Sequence, residues 1–158
     1  MPPALSRFAR TAVRGLRQPP RDLLTTLHVV AVIVLVEVLI RSVRLTQLSR
    51  LLGVPVDLRP STAAGATLPL EALPPRAQRQ LRSTWSVADA WPFSRGPCLR
   101  RALVGGHLIR DLDPTVHLGI RGAGDTIHAH AWLEVEGRPL ETLDGFTRFG
   151  DGAGTATR

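Results

Sequence analysis

The sequence predicts an α+β fold, with a long apolar helix first, further helices in the middle and short antiparallel strands gathered towards the C-terminus. Three observations carry that reading. Residues 23–40, "LLTTLHVVAVIVLVEVLI", are apolar nearly all round; "CLRRALVGGHLIRDL" keeps its apolar residues at helical spacing; and "TIHAHAWLEVEG" alternates apolar and polar residues as a strand does. A chain of 158 residues suffices for one compact domain with an appendage and is too short for two ordinary domains.

Taken in order, residues 1–22 carry five arginines and read as a flexible basic N-terminus, and residues 23–53 read as an apolar helical segment. Within it, Val43, Leu45, Leu48, Leu51 and Leu52 keep helical spacing up to Gly53, a natural C-terminal cap. The segment forms one long helix or two consecutive ones. A spanning helix needs about 20 apolar residues, and 23–40 falls just short, interrupted by His28 and Glu37. No small-residue cleavage site follows, as a secretory signal would require. A buried core helix is therefore the first reading, with membrane association the second and a signal-like segment the third.

Residues 54–75, rich in Pro, Ala, Gly and Thr, read as a linker. Residues 76–150 form the core. One or two short helices stop near Pro92, a helix begins around Cys98, and "TVHLGIRG" is a strand that turns at "AGD" into the strand at 126–135. Glu136-Gly137 then suits a two-residue hairpin turn leading into a third strand, "RPLETL". Residues 151–158 are a Gly-rich, flexible tail.

The net charge of +7 comes entirely from arginine, with no lysine, a bias that GC-rich coding would produce. The arginines are spread along the chain without a basic run interleaved with aromatics, which argues against a nucleic-acid partner. The single cysteine, Cys98, excludes an intramolecular disulfide. A reducing cytoplasm would keep its thiol free, so the reading is a cytoplasmic protein whose apolar segment leaves room for membrane association.

Cys98 follows Gly96-Pro97 and begins a helix. Backbone N–H groups and the positive end of the helix dipole would both favour its thiolate, and Arg100 and Arg101 add positive charge. On the strand at 126–135, Ile127, Ala129, Ala131, Leu133 and Val135 face one way and His128, His130, Trp132 and Glu134 the other. The small Ala129 and Ala131 leave space around His130, and Trp132 offers an indole wall. Counting back from the Glu136-Gly137 turn sets His130 opposite Leu143, so Glu141 shares its face diagonally. Asp144 points away unless a bulge shifts the register. A carboxylate there could orient the imidazole.

The segment from "CLRRALVGGHLIRDL" through "VHLGIRG" to "AHAWLEVEGRPLE" resembles the leader peptidase, or B protein, of lasso peptide biosynthesis, a member of the transglutaminase-like branch of the papain-type cysteine proteases. The motifs that carry the likeness are Cys-Leu-x-Arg at 98–101 and Ala-His-Ala-Trp-Leu-Glu at 129–134, over roughly residues 94–145. The apolar helix before a Pro-rich stretch is similar to that family's N-terminal part. The resemblance implies a papain-like core in which a nucleophile helix packs on a small antiparallel sheet, with Cys98 as nucleophile, His130 as general base and an acid on the following strand. Where the family places that acid this sequence has Thr142, with Glu141 and Asp144 on either side. Geometry favours Glu141.

The resemblance further implies removal of the leader from a ribosomally made precursor peptide, with a separate winged-helix leader-recognition protein and a lasso cyclase as partners. It also implies an ATP requirement for maturation, although this chain shows no phosphate-binding glycine loop, and no bound cofactor is expected. Other readings stand beside it. His128 and His130, with His117, His107 and Cys98, could ligate zinc, although no CxxC or HExxH pattern supports this. The same triad could transfer an acyl group instead of hydrolysing it, or the chain could be a non-catalytic membrane or scaffold protein built around residues 23–40, with its C-terminal half as a binding module.

Overall fold

In the structure, a computed structural model, residues 20–58, 66–91, 97–123, 126–143 and 147–148 are described. Residues 1–19 of the basic N-terminus, residues 124–125 of the expected "AGD" turn, Asp144 and the tail at 151–158 lie outside them.

The apolar segment forms two consecutive helices, α1 (Pro20–Ser42) and α2 (Leu45–Leu52). Because α1 is apolar on both sides, it can bury only one of them. Val29, Val32, Ile33 and Val36 enter the core, while Leu24, Leu27, Val34, Leu35 and Val38 stay in solvent. Gly53 ends α2 at φ 64°, a conformation glycine adopts without steric cost, and Val54 N–H then reaches back to the Ser49 carbonyl.

Glu37, which interrupts the apolar run, is buried against α4 (Cys98–Leu108). Arg100 grips both of its oxygens, and Arg41 lies 2.6 Å from Oε1. The Arg100 hydrogen bond, with help from the charges of Arg100 and Arg41, outweighs burial and holds the Glu37 carboxyl below its ordinary value of 4.5.

The stretch read as a linker contributes to the fold as well as connecting it. Strand β1 (Val56–Asp57) pairs with β2 (Thr115–Ala123) in parallel, Val56 opposite Val116. Leu68 is buried and donates its N–H to the Pro139 carbonyl at 2.8 Å. A 3₁₀ turn (Leu70–Ala72) leads to α3 (Pro75–Ala90), one helix whose buried residues, including Ala77, Leu81, Thr84 and Ala88, recur every three or four positions. A second 3₁₀ turn (Arg110–Leu112) follows α4.

The sheet is mostly antiparallel. Strand β3 (Thr126–Val135) pairs with the whole of β2, and β4 (Arg138–Pro139) pairs with β3. On the edge of β2 away from β3, β1 and then β5 (Thr147–Arg148) sit end to end, β1 in parallel. The third strand is shorter than "RPLETL" and is confined to Arg138–Pro139, with Pro139 at a position whose nitrogen faces away from β3. The ladder closes with Leu140 N–H on the Leu133 carbonyl. Glu136 and Gly137, at φ 54° and 71°, make the expected two-residue turn.

Helices cover one face of this sheet. Val116, Ala131, Leu133 and Val135 join a core shared with α1, α3 and α4. The approach of α4 is close because two glycines line it. A methyl on Gly105 would come within 3.0 Å of Leu133 and Leu81, and one on Gly106 within 2.8 Å of Val54. Ile127 shares the alternation of Leu133 but lies beyond the helices and is exposed.

Candidate active site

Cys98 is the first residue of α4 and is half-buried. Pro97 occupies the N-cap position and has no side chain able to cap, and the first helical bond runs from Arg101 N–H to the Pro97 carbonyl. Among the described residues, no side chain caps the N–H groups of this first turn. Asp89 lies 3.7 Å from Arg101, whose guanidinium also stacks over Trp85 at 5.4 Å.

His130 stands on β3 opposite Gly119, so no side chain crowds it from that position of the neighbouring strand. Its Nε2 is 3.3 Å from Glu141 Oε2, with the imidazole 22% and the carboxylate 34% exposed. The count from the hairpin turn accounts for the contact, since the observed pairs Val135–Arg138 and Glu134–Pro139 continue to put Glu141 diagonally from His130. Glu141 also lines a narrow cleft with Trp85, Arg101, Ala102, Leu133 and Leu140. Among the described residues, the cleft joins Arg101 and Ala102 of the cysteine helix to Glu141, and neither Cys98 nor His130 lines it.

Trp132, Glu134 and His117 form a second buried layer on the sheet face turned away from the hydrophobic core. Alternation alone would turn Trp132 and Glu134 outward, but both are buried because β2 supplies partners across the strand. Trp132 Nε1–H donates to Glu134 Oε1 at 3.0 Å, and Glu134 Oε2 lies 3.2 Å from His117 Nε2. The indole stacks between the two imidazoles, 5.9 Å from His117 and 6.2 Å from His130. Glu134 thereby fixes the ring on which His130 rests. His117 entered the sequence reading only as a spare metal ligand. Counting from the three-residue "AGD" turn would have placed it opposite Ala131, one residue off; with Ala123 in the strand opposite Thr126, it faces Trp132.

A profile of the transglutaminase-like superfamily matches residues 32–150, well over half of the chain. The chain belongs to the transglutaminase-like superfamily. This superfamily includes cysteine peptidases. The matched span holds Cys98, His130, Glu141 and Asp144 and begins inside α1, so that Glu37 and its clamp on Arg100 lie within it. No curated protein and no solved structure matches the chain.

The other candidates fall elsewhere. His128 is exposed and follows the alternation of His130, one pair further along β3. His107 lies at the other end of α4, its Nδ1 2.8 Å from the Leu52 carbonyl. Among the described residues, no three His, Cys, Asp or Glu side chains are grouped as a metal ion would need. Asp144 lies outside the described residues, and Glu141 is the predicted acid that meets His130 among them.

Proposed function

We propose that this member of the transglutaminase-like superfamily is a cysteine peptidase that removes the leader from a ribosomally made lasso precursor peptide. The observation that carries the peptidase reading is the His130–Glu141 contact at 3.3 Å, on the strand against which the Cys98 helix packs. The likeness of "CLRR" and "AHAWLE" to the lasso leader peptidases carries the substrate.

In this reading His130 takes the Cys98 proton and Glu141 steadies the resulting imidazolium. The thiolate attacks the scissile carbonyl, and the uncapped N–H groups at the start of α4 receive the developing oxyanion. His130 returns its proton to the leaving amine, and water then hydrolyses the thioester. The precursor reaches the site through a separate winged-helix recognition protein, and the released core passes to a cyclase. Any ATP requirement falls on a partner.

The test is mass spectrometry of the precursor incubated with its recognition protein and either wild type or Cys98→Ala. Leader release by wild type alone supports the proposal. Folded wild type that leaves the precursor intact, with the partner present, overturns it in favour of a binding role. A product carrying an added amine in place of water would identify acyl transfer.

A further inference from the structure

We infer that the outer face of α1 seats the protein in the plane of an anionic lipid surface, without crossing it. Leu24, Leu27, Val34, Leu35 and Val38 share one side of the helix, opposite the residues that enter the core, and each is close to half exposed or more. From Leu24 to Val38 the stripe runs about 21 Å at the α-helical rise, and no charged residue lies on it.

Basic groups border this stripe. Along one side, Arg76 and Arg79 of α3 line a groove with Leu24, Thr25, His28 and Gln80. Both arginines are exposed, and neither has an acidic partner among the described residues. Arg21 and Arg41 stand at the two ends of α1. An apolar stripe rimmed by arginine matches acyl chains below and anionic headgroups around them. By length and hydropathy α1 could cross a bilayer. Crossing would strip Val29, Ile33 and Val36 from the core and pull Glu37 off Arg100, and in-plane seating leaves all of these in place.

The experiment is flotation of the full chain with vesicles of phosphatidylcholine, alone or mixed with phosphatidylglycerol. Wild type should float with the anionic vesicles, stay behind with the neutral ones, and be released by high salt and by alkaline carbonate. Leu27→Glu with Leu35→Glu, and separately Arg76→Gln with Arg79→Gln, should each weaken binding roughly tenfold or more while leaving the circular dichroism spectrum unchanged. Folded wild type that floats with neither vesicle overturns the inference. So does carbonate-resistant insertion, which would mean a span, or a dimer in solution that Leu27→Glu with Leu35→Glu dissociates, which would mean that a second copy covers the stripe.

Discussion

Two carboxylates in this protein each hold a basic side chain from another element of the fold, and they differ in what they leave free. Glu37 is buried, carries two arginines and joins α1 to the helix of Cys98. Glu141 is a third exposed and meets a histidine that solvent also reaches. Arginine stays charged at any working pH, so the first pair can only hold structure together. Histidine can gain and lose a proton near neutrality, so the second pair can take part in a reaction. The chemistry follows from the choice of base and the access of water, and only secondarily from the presence of a carboxylate.

The largest effects should separate these two pairs. Cys98→Ala should abolish leader release while leaving the thermal transition in place, because neither pair loses a member; mass spectrometry and calorimetry read the two sides. Glu141→Gln should lower turnover by roughly 10²-fold, less than loss of a fully buried triad acid, with little change in stability. A variant that cleaves like wild type would remove Glu141 from the mechanism.

Glu37→Gln should do the reverse. Leaving Arg100 without its buried partner should cost about 3 kcal/mol, a fall in Tm of roughly 10 °C for a chain of this size. Replacing Glu37 and Arg100 together by leucine should recover most of that loss. The same pair sets an acid limit. Because the folded Glu37 is held below 4.5, its contribution is complete above that pH and is lost as pH falls through the lower folded value. Acid unfolding followed by circular dichroism should therefore contain a component from Glu37 below that pH, and Glu37→Gln should remove it.

The smallest effect is expected at Trp132→Phe, which keeps the stacked ring but removes the donor to Glu134. About 1 kcal/mol of stability should go with the hydrogen bond. The pH profile of Cys98 alkylation should shift as well if the indole helps to orient His130, and an unchanged profile would make Trp132 purely structural.

Much of the site was legible in local pattern. Alternation gave β3, the Glu136-Gly137 pair gave its turn, and the count from that turn put Glu141 beside His130. What stayed hidden depended on distant partners. Strand β1 has two residues in a Pro-rich stretch, and only β2 makes it a strand. Glu37 reads as an interruption of an apolar helix until Arg100, 63 residues on, neutralises it. Trp132 and Glu134 belong to the polar side of the alternation, and their own hydrogen bond together with His117 across the strand makes their burial tolerable.

Gly105 and Gly106 have a wider consequence. Their bare backbone is where α4 meets Leu133 of β3, Leu81 of α3 and Val54 ahead of β1. Val54 is buried and branched, so it cannot swing aside for an added methyl. The two positions act as a gauge block for the molecule: they set how far the thiol-bearing rod stands from the histidine ribbon. A single carbon added there would enlarge that gap without touching any reacting group.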